Sequence, residues 1–70
     1  MNDLQARLLS AHEDDDRSAL IALYIEAADQ AASVEACYFY LTHAYVFALE
    51  LGDPRAADLR DRLRAAGREV

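Results

Sequence analysis

The side chains able to do covalent, acid–base or metal chemistry in this chain are few and scattered: Cys37, His12, His43, four tyrosines and the acidic run Glu13–Asp16. A nucleophilic cysteine needs a basic neighbour or a helix N-terminus to hold its thiolate. Cys37 instead lies one turn inside EACYFYLTHAYVFALEL, residues 35–51, where a thiol among apolar neighbours behaves as a small hydrophobe. His43 falls about 120° round the same helix, at ~100° per residue, which is too far to pair with Cys37. A cation site built from His12, Glu13 and the three following Asp is a second reading of HEDDD. A Ca²⁺ loop, however, requires alternating ligands, a glycine bend and a distal Glu. The run has none of these and reads as a solvated capping turn, with His12 in solvent. No structural-zinc spacing and no Gly-rich phosphate loop is present. The chain is therefore read as a non-enzyme without catalytic residues, cofactor or metal.

The remaining candidates are aromatic and basic. Five of the six aromatic residues, Tyr38, Phe39, Tyr40, Tyr45 and Phe47, sit in the 35–51 stretch. Aromatics at helical spacing pack a core; a ligand pocket is the other reading, and no small-molecule ligand is expected. Their hydroxyls need partners or water, which puts Tyr38 and Tyr40 at the core margin. Arg55, Arg60, Arg62, Arg64 and Arg68 could form a nucleic-acid stripe, but Asp58 and Asp61 interleave with them. Asp58–Arg62 and Asp61–Arg64 have ion-pair spacings, as on a solvated helix face.

What must position these residues is helical. In the 35–51 stretch the only charges are Glu35 and Glu50, and there is no Gly or Pro. Glu35, Thr42, His43 and Glu50 share a narrow polar stripe, and the rest of the circumference is apolar, far more than on an ordinary surface helix. Such a helix is central, with neighbours on several sides. Cys37, Leu41, Ala44 and Ala48 form the middle of its apolar face. Tyr38, Tyr45 and Leu49 flank that face on one side, and Tyr40, Phe47 and Leu51 on the other.

Before it, Leu4, Leu8 and Ala11 give a short helix over residues 3–12, capped by Asp3 or Asn2. Asp14–Asp16 open a second helix, 17–32, at the positive end of its dipole. Its apolar stripes are Leu20, Tyr24, Ala27 and Ala31, and beside them Ile21, Ile25, Ala28 and Ala32; Ala22, Glu26, Asp29 and Ser33 face water. Ser33 caps the central helix, 34–51, with one long kinked helix as the alternative at this join. Gly52 supplies a left-handed stop, Asp53 a cap and Pro54 a first helical position. A last helix, 54–66, buries Ala56, Leu59, Leu63 and Ala66, and Gly67 ends it.

The middle of the chain resembles a tetratricopeptide-type helical hairpin. Tyr24, Ala27, Ala28 and Ala31 carry the spacing of its first helix, and Leu41, Tyr45 and Ala48 that of its second, followed by ALELGDP. Ala31 and Leu41 depart from the usual sizes, and the distances to the second helix and to Pro54 are each one residue too long. The resemblance implies a helical scaffold for protein–protein contact, and it carries over no binding residue.

Composition agrees with one small all-α domain of about four antiparallel helices around the central apolar one. Seventy residues, 54% hydrophobic, with one Pro and two Gly, favour helix over disorder. A core this small supplies only ~3–5 kcal/mol. The single cysteine excludes an internal disulfide, so self-association is the available support. The net charge of −6 disfavours phosphate-backbone binding as the main role. The charge is also uneven, since residues 1–53 hold ten acids and two Arg, and residues 54–70 three acids and five Arg. The apolar runs are too short to span a bilayer, and no signal peptide is evident. The expectation is thus a cytoplasmic interaction module that pairs with a second copy, another protein, or both. A nucleic-acid accessory role for the Arg helix is the alternative. Phe39 and Val46 interrupt the polar stripe, so either the first helix covers them or a partner does. In the second case Phe39, Tyr40, Val46 and Phe47 form the interface, with Thr42 and His43 at its edge.

Overall fold

The structure, a computed structural model, describes residues 3–67. It is an all-α bundle of four helices: α1 (Asp3–Glu13), α2 (Arg17–Gln30), α3 (Val34–Leu51) and α4 (Arg55–Ala65). No strand occurs among the described residues. Backbones come close only between successive helices, α1 on α2, α2 on α3 and α3 on α4. The result is flat, 32 × 29 Å across and 12 Å through.

Each joint has a local cause. Between α1 and α2 the backbone of Asp15 turns left-handed (φ 50°), a region that Asp tolerates better than most residues. Asp16 then caps α2, its Oδ1 accepting from the Ala19 N–H at 3.1 Å. The expected cap at Asn2 lies outside the described residues, and Asp3 pairs with Arg7 at 2.9 Å.

α2 stops at Gln30, two residues before the expected Ala32. Ala31 turns to extended geometry (φ −64°, ψ 141°) while its N–H donates to the Ala28 carbonyl. No glycine is needed, because the turn uses a negative φ. Ser33 is extended too, and its Oγ accepts from the Ala36 N–H at 3.0 Å. A cap of this kind needs non-helical backbone at Ser33, so the break is complete and no kinked continuous helix forms.

α3 ends as its sequence directs. Gly52 is left-handed (φ 66°, ψ 32°) and the Asp53 N–H reaches back to the Ala48 carbonyl at 2.9 Å. Asp53 Oδ1 accepts from the Arg55 N–H, also at 2.9 Å. Pro54 therefore stands just outside α4, which runs to Ala65 and is closed by Gly67 at φ 81°.

Two groups of buried side chains lie between the helices. The first joins Ile21 and Ala28 of α2, Leu41, Ala44 and Ala48 of α3, and Leu59 and Leu63 of α4. The second joins Leu4 and Ala11 of α1 to Leu20, Leu23 and Ala27 of α2. Leu23 belongs to neither apolar stripe read from the sequence; it extends the apolar arc of α2 towards α1. The fully buried Ala44 and Ala48 leave no side chain to hold the neighbouring helices away. Leu59 and Leu63 are the buried anchors of α4, and Ala56 packs at their margin.

Ion pairs lie along the edges of α2. Arg7 grips Glu26 with both guanidinium nitrogens, which draws the Glu26 carboxyl below its ordinary range. Glu26 is thus half-covered by α1 and not simply in water. On the other edge Arg62 donates to Asp29 at 3.2 Å. The expected pairs Asp58–Arg62 and Asp61–Arg64 do not form; Arg62 reaches Asp29 of α2 instead of Asp58.

Candidate functional site

Among the larger side chains of α3, those facing α2 form an inward aromatic set and those turned away an outward apolar set, with Phe39 bridging the two, its ring 4.5 Å from His43 and 5.6 Å from Tyr40. Tyr24, in the middle of α2, is the centre of the inward set. Its ring lies 5.9 Å from Phe47 at 16° and 6.2 Å from Tyr40 at 29°, and the His43 ring is 5.2 Å away. Stacked rings of this kind contribute beyond simple burial. From α1, His12 Nε2 and the Tyr24 hydroxyl share a hydrogen bond of 2.9 Å, and the His12 ring also meets Phe47 edge-on at 6.2 Å. Burial, and then the nearby Tyr40 hydroxyl, pushes the Tyr24 hydroxyl above its ordinary range.

His12 is exposed, as expected, and its ring also hydrogen-bonds Tyr24 from the last turn of α1. Tyr40 and Phe47, expected at a partner surface, are half-buried and stacked on α2. Tyr24 as a hub was invisible because the apolar stripes give a residue's direction and not the ring that will meet it.

The outward set lies on the opposite arc of α3. Phe39 is 59% exposed, Val46 46% and Leu49 55%. With Thr42 between them they form one stripe spaced three, four and three residues apart, as along one seam of a helix. Helix α1 does not cover this stripe; it packs on α2. Leu49 was missed as a member because it borders Tyr45 on the helical wheel and reads as a core flank.

The polar residues in the stripe are turned back on their own helix. Thr42 Oγ1 donates to the Tyr38 carbonyl at 2.8 Å. His43 Nδ1 lies 3.0 Å from the Phe39 carbonyl, which can only accept, so the proton is on Nδ1. The hydroxyl and one ring nitrogen are therefore satisfied without water. Shallow depressions flank Thr42 and His43. One, of about 360 Å³, is bounded by Glu35, Tyr38 and Phe39, and the other, of about 210 Å³, by Val46 and Phe47.

Charge closes the two ends of the stripe. At the N-terminal end Glu35 is exposed in the first turn of α3, with no ion pair among the described residues. At the other end Glu50 lies 3.6 Å from Arg17, and Arg55 holds Asp53 through two guanidinium nitrogens at 2.9 Å. That clamp takes the Asp53 carboxyl down to about 2.

The other candidates are placed as follows. Cys37 is half-buried against the Leu41 group. Among the described residues no cluster of His, Cys, Asp or Glu could hold a metal ion. Arg55 and Arg62 are engaged by carboxylates, Arg60 and Arg64 are exposed, and Arg68 lies outside the described residues. No described helix is long and apolar enough to cross a membrane. No family model, curated protein or solved structure matches the chain.

Proposed function

We propose that this chain is a small helical protein–protein interaction module whose contact surface is the outward arc of α3. One observation carries the reading. Three large apolar side chains, Phe39, Val46 and Leu49, are about half exposed in one continuous stripe, and Thr42 and His43 between them have spent hydrogen bonds on their own backbone. Scattered exposed apolar residues are ordinary, but a contiguous apolar stripe on a soluble surface marks a contact site. The tetratricopeptide-like spacing in the sequence points to the same class of role.

The test is affinity capture at physiological salt. Immobilised wild-type chain is offered native lysate and, separately, more of itself, beside the double variant Phe39→Asp/Val46→Asp. The expected result is specific retention by the wild type and its loss in the variant, with unchanged helix content by circular dichroism. Equal retention by both proteins, or none by either, overturns the reading.

A further inference from the structure

Resting on that reading, we infer that the α3 stripe receives an amphipathic helix of another protein, with a basic side chain at each end of its apolar seam. Spacing argues for a helix as the occupant. The row Phe39, Thr42, Val46 and Leu49 continues N-terminally to Glu35, stepping by four, three, four and three residues. A row of this kind offers knobs and holes to a facing helix. Being helical itself, α3 has no unpaired backbone edge to which an extended strand could add.

Charge says which helix. The two carboxylates of α3 are Glu35 and Glu50, and it carries no Lys or Arg. Glu35 is exposed at one end of the row, with no ion pair among the described residues. It bounds the depression of about 360 Å³ together with Tyr38, Phe39, Thr42 and His43. An arginine or lysine entering there lays its methylenes on the rings and brings its charge to the carboxylate. At the other end Arg17 is shared between Asp15 and Glu50, 3.6 Å from each, and Arg55 is taken by Asp53. Three carboxylates there face two guanidinium groups, so this end is left negative as well.

Between the ends the surface is apolar, and the depression beside Val46 and Phe47 takes an apolar side chain. Glu35 and Glu50 are ~22 Å apart along the helix axis, so the occupant spans about four turns. A second copy would bring carboxylate towards carboxylate at the ends, whichever way it lay. With ten acids and two Arg in residues 1–53, the surrounding field draws a basic segment in.

Two labelled helical peptides of about 18 residues test this, each Ala-rich with Leu at the seam positions. One carries Arg at both ends of the seam, and the other carries Glu. Each is titrated with the chain at low ionic strength and read by fluorescence anisotropy. The Arg peptide is expected to bind about tenfold tighter than the Glu peptide, and to lose binding to Phe39→Asp/Val46→Asp. Glu35→Arg should weaken the Arg peptide and strengthen the Glu peptide. Asp61→Arg makes the same change in net charge on the exposed side of α4, and should move both affinities far less. Circular dichroism checks that each variant keeps its helix content. Equal binding of the two peptides, or an equal effect of Asp61→Arg and Glu35→Arg, overturns the charge assignment. No binding of either peptide overturns this occupant. So does a wild-type chain that scatters light at twice its mass and becomes monomeric in Phe39→Asp/Val46→Asp, which would put a second copy on the stripe. In both cases capture from lysate judges the contact surface separately.

Discussion

His12 Nε2 and the Tyr24 hydroxyl, 2.9 Å apart, tie the last turn of α1 to the middle of α2. Beyond that bond α1 is held by Leu4 and Ala11 against α2 and by the Arg7–Glu26 pair. Tyr24→Phe keeps the stacked ring and removes the bond. It is exposed to solvent, so the expected loss is at the low end for a hydrogen bond, ~0.5–1 kcal/mol. Amide exchange should rise in α1 and stay unchanged in α4; equal increases in both would show that the bond does not act locally.

Ala44 and Ala48 have no exposed surface, and they lie where α3 meets its neighbours. Ala48→Leu should force the helices apart at a cost of ~1–3 kcal/mol. The measurement is the thermal midpoint, and an unchanged value would mean that the site has room.

Gly52 is left-handed, but a Cβ built there meets nothing within 4 Å. Gly52→Ala therefore tests backbone strain alone. The expected destabilisation is ~1–2 kcal/mol, from the left-handed conformation of an L-residue. Gly52→Asn should recover part of it, since Asn enters this region more readily. Urea midpoints of the three proteins give the order.

The Asp53 carboxyl is held down to about 2 from an ordinary 3.8, first by the side-chain hydrogen bond from Arg55 and then by the Arg55 backbone N–H. A carboxyl depressed in the folded state stabilises it above the unfolded value. That contribution should be complete above ~pH 4 and fade as pH falls towards 2. The difference in thermal midpoint between wild type and Asp53→Asn should shrink across this interval. A constant difference from neutral pH down to pH 2 would contradict the clamp.

Much of this architecture was legible in the chain because its signals are local. Ser33, Asp16 and Gly52 each act on backbone within four residues, and each stands where the structure uses it. Leu41, Ala44 and Ala48 were readable as the inward face because periodicity alone fixes direction. The relations between helices were harder to read. Arg62 chose Asp29 over Asp58, and His12 found Tyr24, across distances no helical wheel contains. For the same reason the stacking of Tyr40 and Phe47 on Tyr24 went unread, Leu49 was assigned to the core margin, and Leu23 was overlooked.

The order of packing, each helix on its sequence neighbour, also bears on how the chain folds. The closest inter-helix contacts join residues separated by one helical hairpin, so only short loops must close before they form. Chains of such local contact order fold in microseconds to milliseconds. The α2–α3 hairpin can nucleate alone, and α1 and α4 then add to it from either side, as units do in a linear array. Opening can run in the reverse order. Loss of α1 would leave the first buried group, from Ile21 to Leu63, and the outward stripe of α3 in place. The exposed stripe would thus outlast the fraying of the chain's own N-terminal helix.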